Sequence, residues 1–113
     1  MLNDSPSLNR AFAALADPTR RGMLAQLARG PASVSELARP LAISLPAVLQ
    51  HLQALEASGL IASAKIGRVR TCRLEPAALS AAEAWIAAQR ALWDGRLDRL
   101  ETHLASIQQE TAK

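Results

Sequence analysis

Apolar positions recur at helical spacing from the start of the chain. After Ser5-Pro6, an N-cap followed by proline at the first helical position, Leu8, Phe12 and Leu15 fall at i, i+4 and i+7, one stripe of a helix ending near Ala16. Asp17-Pro18 repeats the start signal, Met23, Leu24 and Leu27 supply the second apolar face, and Gly30-Pro31 stops it. Ser33, with Glu36 three residues on, reads as a capping box for a short helix, Ser35 to Leu41, with Leu37, Ala38 and Leu41 inward. Pro40 inside it bends or shortens it. Ala42-Ile43 makes the turn. Ser44 caps the next helix, Leu45 to Ala57, where Pro46 sits in the first turn and Val48, Leu52 and Leu55 form the stripe. Gly59 is the natural left-handed end.

The period then changes. Leu60 to Ile66 and Val69 to Leu74 are short β-rich runs flanking Gly67-Arg68 and predict a hairpin, although Ala62, Ser63 and Ala64 are weak strand formers. Pro76 opens a final helix over 77–108. In it Leu79, Ile86, Trp93, Leu100 and Ile107 recur every seven residues and Leu97 and Leu104 form a second line, a coiled-coil-like seam interrupted at Gly95.

Three helices and a hairpin, with helices at both ends, predict a mostly α single domain of winged helix-turn-helix type over 1–113. Its parts are an N-terminal helix (5–16), a helix-turn-helix (33–59), a wing (60–74) and a C-terminal dimerisation helix (77–108). The second helix of the unit is expected in a major groove, with Ser44, Leu45, Ala47, Val48, Gln50 and His51 toward the DNA and the wing cations Lys65, Arg68 and Arg70 on the backbone or minor groove. So long an apolar stripe is more than one small domain can cover. Leu8, Phe12 and Leu15 with Ile86, Trp93, Leu97, Leu100 and Leu104 are the expected dimer interface, and a two-fold would set the recognition helices roughly 34 Å apart. Folding of the long helix back on its own core is the alternative.

Composition narrows the field. Half of the 113 residues are apolar, mostly Leu and Ala, which favour helix, and Phe12, Trp85 and Trp93 are the only aromatics. The net charge is +3. It is unevenly spread: no acid lies between Ala57 and Leu74, where Lys65, Arg68, Arg70 and Arg73 fall, a footprint for a polyanion or a plainly solvated basic face. Cys72 is the single cysteine, which suits a reducing cytoplasm. The polar start (Asn3, Asp4, Ser5) lacks the apolar run of a signal peptide, and no stretch approaches membrane-spanning length, so a cytoplasmic protein without membrane contact is expected. One cysteine with His51 and His103 makes a poor metal set, and no phosphate-binding glycine loop or nucleophile motif is present. A non-enzyme without cofactor follows, partnered by double-stranded DNA and a second copy of itself, with any small-molecule effector left open.

These segments bear a family likeness. Ala14-Leu15-Ala16-Asp17-Pro18-Thr19-Arg20-Arg21 resembles the opening of ArsR-type winged-helix regulators, and Ser44-Leu45-Pro46-Ala47-Val48-Leu49-Gln50-His51-Leu52 their recognition helix. Leu55-Glu56-Ala57-Ser58-Gly59-Leu60-Ile61 is similar to the entry to the wing, and Gly67-Arg68-Val69-Arg70 to its tip. The likeness covers about Phe12 to Leu74 and implies a homodimeric repressor released from DNA by a signal. Metal-sensing members carry Cys-x-Cys where this chain has Ser33 and Ser35, and a second site on the last helix would need more than His103, so the likeness is to a branch that does not sense metal there. Leu45, Ala47 and Leu49 stand where the family often has polar residues. They leave Gln50 and His51 as the polar readers, with Leu45 or Ala47 able to touch a thymine methyl.

Two other readings follow from single features. Exposed leucines on the recognition helix suit a protein-interaction module. An accessible Cys72 would suit a redox-responsive regulator, against the plainer reading of a small buried residue. Arg20 and Arg21 are expected to divide between solvent or phosphate and a carboxylate, and Arg73 to contact DNA or pair with Glu75 or Glu56.

Overall fold

The computed structural model describes residues 5–111; Asn3 and Asp4, read above as a polar start, lie outside the described residues. Contacts divide the chain into two compact units, Met1–Ala82 and Glu83–Lys113.

The first unit is built from capped helices. In α1 (Pro6–Leu15) the Ser5 hydroxyl accepts from Leu8 N at 3.4 Å, and in α2 (Pro18–Leu27) Asp17 Oδ2 accepts from Arg20 N at 3.0 Å. Each cap satisfies one of the donors that a helix start leaves without a partner. The capping box is formed in both directions in α3 (Val34–Ala38): Glu36 N donates to Ser33 Oγ and Ser33 N donates to Glu36 Oε1, each at 3.1 Å. That backbone donation holds the Glu36 carboxyl below the usual glutamate range. The helix is shorter than expected because Pro40 cannot continue it, and Leu41 N closes a turn onto Ala38 O at 2.9 Å. Helix α4 (Leu45–Ala57) starts at Ser44, whose hydroxyl accepts from Ala47 N at 3.4 Å, and ends before Gly59 at φ +77°.

The strands β2 (Ile61–Ile66) and β3 (Val69–Leu74) form the expected hairpin. Ile66 pairs with Val69 across the two-residue loop Gly67-Arg68, where Gly67 takes φ +64° and Arg68 keeps a negative φ. Glycine at the first central position is what a type II′ turn needs. A further strand was not foreseen: β1 (Ala32–Ser33) adds to the other edge of β3, Ala32 against Cys72 and Ser33 against Thr71, giving sheet order β1-β3-β2.

The core gathers Met23, Leu27, Leu37, Val48, Leu55 and Leu60, all at most 3% exposed. Helix α1 departs from the predicted stripe. Its buried residues are Ala11 and Ala14, while Leu8, Phe12 and Leu15 lie half-buried beside them and Leu15 packs against the core of its own chain. Small side chains let α1 lie close to α2 and α4, which larger ones at those positions would prevent.

Helix α5 (Pro76–Thr111) runs through Gly95 without a break and slightly past the predicted limits. Its first turn belongs to the first unit: Ala78 and Leu79 pack against the core, so the first seam position is used inside the chain. In the second unit the stripe stands in solvent, with Ile86, Trp93, Leu97, Leu100 and Leu104 between 50% and 61% exposed and Ile107 at 42%. No helix among the described residues is long and apolar enough to cross a membrane.

Candidate nucleic-acid interface

Helix α4 divides sharply into an inner and an outer side. Val48, Leu52 and Leu55 anchor it in the core, so Val48, expected to face DNA, is a packing residue at 0% exposure and reaches nothing outside. The outer side carries Leu45, Leu49, Gln50 and Gln53, all exposed, with Ala47 half-buried at its margin. Gln53 was not singled out from the sequence; it lies three residues after Gln50, the spacing that puts two side chains on one helical face. Ser44 holds the helix start, as a cap reading requires.

The wing brings the expected cations together. Lys65 and Arg70 are directly opposed in the β2–β3 ladder, with Arg68 in the turn beyond them, and all three are exposed. Like charges facing each other across a ladder are unfavourable without an anion to share. Among the described residues neither Lys65 nor Arg68 has an ion-pair partner. Arg70 is partly engaged: its Nη1 donates to Ser63 Oγ at 2.9 Å, and Ser63 Oγ donates to Glu56 Oε1 at 3.2 Å, a chain linking the wing to the end of α4. A cleft of about 300 Å³ lies beside this chain, lined by Leu49, Leu52, Gln53, Ile61, Arg70 and Cys72 among others. Arg73 pairs with Glu75 at 3.0 Å.

Around His51 the structure builds a cluster that the sequence reading left apart. Arg20 Nε donates to His51 Nδ1 at 3.1 Å, and Asp17 Oδ2 stands 3.8 Å from the same nitrogen. The backbone bond from Arg20, with the nearby positive charge of Arg20 and set against some loss of solvent, holds the Asp17 carboxyl below the usual aspartate range. Arg21 donates to Leu15 O at 2.7 Å. Neither arginine takes the core carboxylate that was expected, because Asp17 is occupied as the cap.

Cys72 is 1% exposed, and burial together with Glu56 pushes its thiol up, Arg70 only partly opposing. A thiolate is therefore scarce and screened, which removes the footing of a redox switch. No group of three or more His, Cys, Asp or Glu among the described residues is clustered as a metal ion would need.

Residues 15–64 match the family model of a helix-turn-helix domain. The chain is 47% identical over 75 residues to the HTH-type transcriptional regulator Rv2034 of Mycobacterium tuberculosis, a match covering 66% of this chain and 70% of the relative. Among solved structures, the ArsR family transcriptional regulator RHA00566 is 51% identical with a TM-score of 0.78, over 83% of this chain and 97% of its own. An ArsR-like transcriptional regulator from Rhodococcus sp. RHA1 is 38% identical with a TM-score of 0.74, over 85% and 91% of the two chains.

Proposed function

Because the chain belongs to the ArsR family of transcriptional regulators, we propose that it works as a homodimeric repressor on an inverted-repeat operator. In this reading α4 enters the major groove and the wing tip lies on the DNA backbone. The observation that carries it is the opposed pair Lys65 and Arg70 beside Arg68, cations without an acidic counterpart at the tip and next to the exposed side of α4. A polyphosphate backbone supplies the missing anion, and the release of its counterions drives association. Gln50 can pair with adenine, and Leu45 and Leu49 can lie against thymine methyls. The solvent-facing stripe of 83–111 gives the dimer its seam, and a two-fold pair of recognition helices calls for two half-sites. Occupation of a promoter by such a dimer obstructs transcription from it.

Selection of bound duplexes from a random pool, at low and at physiological salt, tests this. The expected product is an inverted repeat with half-sites about 10 base pairs apart. Unselected sequence, with binding lost as salt rises, would reject the operator and leave only a basic wing. The exposed leucines of α4 also fit a protein-docking surface, at 56% for Leu45 and 46% for Leu49. In that case the pool returns nothing at either salt concentration.

The cations make a second measurable claim. If each neutralises one phosphate, Arg68→Ala and Arg70→Ala should each lower the slope of log affinity against log salt by about 0.9. For Arg70 the guanidinium must leave Ser63, so Arg68→Ala is the cleaner of the two. Unchanged slopes in both variants would remove the wing from the interface.

A further inference from the structure

Two groups at the start of α2, the cap Asp17 and Arg20 of the first turn, face one nitrogen of His51, and they require opposite protonation states. A guanidinium only donates and does not lose its proton, so the 3.1 Å bond from Arg20 Nε needs a bare lone pair on Nδ1. The Asp17 contact becomes an ion pair only if the imidazole is protonated, and 3.8 Å is beyond hydrogen-bond range. The shorter, directional contact sets the ring. Asp17 Oδ2 is in any case already accepting from Arg20 N at 3.0 Å.

With Nδ1 committed as an acceptor, the single proton of the neutral imidazole lies on Nε2. His51 makes no other hydrogen bond among the described residues, and no buried side-chain nitrogen there lacks a partner, so Nε2 reaches the surface. Resting on the DNA-binding reading above, we propose that Arg20 is a positioning residue that makes His51 an outward hydrogen-bond donor for a DNA acceptor, a purine N7, a guanine O6 or a phosphate oxygen. The amino groups of adenine and cytosine, donors themselves, are refused. An arginine in the first turn of α2 and the histidine that meets DNA from α4 thus form one device, although 31 positions separate Arg20 from His51.

Long-range proton–nitrogen NMR of the free full-length protein reads the ring directly. The Nε2–H form should dominate, and Arg20→Ala should raise the Nδ1–H fraction; an unmoved Nδ1 signal overturns the positioning role whether or not DNA binds. A second pair of variants reads the donor, with thermal unfolding as the folding check. Glutamine places its amide nitrogen near the position of imidazole Nε2, and asparagine near that of Nδ1. On a duplex recovered from the random pool, His51→Gln should stay within about threefold of the parent affinity. His51→Asn should lose about tenfold, the worth of one hydrogen bond to a charged or strongly polar acceptor. Equal losses in the two variants refute the Nε2 donor. Duplexes carrying 7-deazapurines, 2-aminopurine in place of guanine, or methylphosphonates separate the sources, since the His51→Asn penalty disappears where the acceptor itself has been removed. Absence of any DNA binding by the parent protein rejects the parent reading instead and leaves the NMR result to stand by itself.

Discussion

Leu97→Glu combined with Leu104→Glu should turn the chain into a monomer at micromolar concentration. Both leucines lie on one line of the α5 seam, 55% and 50% exposed in the single chain. A leucine taken fully out of water contributes about 1.5–3 kcal/mol, so a stripe with Ile86, Trp93 and Leu100 as neighbours gains considerably from a partner. In the proposed two-fold dimer every change is doubled, and the variant sets four carboxylates into the seam. Each costs several kcal/mol to desolvate without a cation. At about 1.4 kcal/mol per factor of ten, the dimer constant should weaken at least about a thousandfold. Sedimentation equilibrium measures this directly. A double variant that still sediments as a dimer would place the interface elsewhere. Operator affinity should fall with dimerisation, because half-sites bound one at a time forgo the advantage of a tethered second contact.

Leu55→Ala should be among the most damaging single truncations in the first unit. The side chain is 0% exposed in the middle of the core cluster. Truncations of this kind cost about 2–5 kcal/mol, the transfer of the lost carbons plus the cavity they leave. Against a total of about 5–15 kcal/mol for a domain, that brings the protein close to unfolding at growth temperature. Leu49 is the internal control, since it lies on the same helix and is 46% exposed. Leu49→Ala should change stability by less than about 1 kcal/mol. Urea unfolding at constant slope reads both values. Similar midpoints for the two variants would contradict the division of α4 into an inner and an outer side.

That division was legible from spacing: Val48, Leu52 and Leu55 at i, i+4 and i+7 defined the inner face before any coordinates did. The caps at Ser5, Asp17, Ser33 and Ser44 were equally plain, because each is decided within four residues. Spacing also showed that Val48 is inward, and counting it among the groove-facing residues of the second helix went against that spacing. The misses share a cause. The Asp17, Arg20 and His51 cluster, the chain from Arg70 through Ser63 to Glu56, and the pairing of Ala32 with Cys72 all join different elements, the first and the last across long stretches of sequence. No periodicity signals such contacts. In α1 the stripe rule favoured the large residues, whereas close helix packing selected Ala11 and Ala14. The seam of α5 was visible as a heptad, but its first member, Leu79, is used within the chain.

Position 33 illustrates how much freedom such a crossing removes. Ser33 is the cap of α3 and also the residue of β1 that faces Thr71. A good cap is Ser, Thr, Asp or Asn, but Asp and Asn are poor in strands, whereas Thr is favoured there. The two demands together leave serine and threonine. One hydroxyl, a few atoms in size, thus narrows the alphabet at this site more than either structure would by itself.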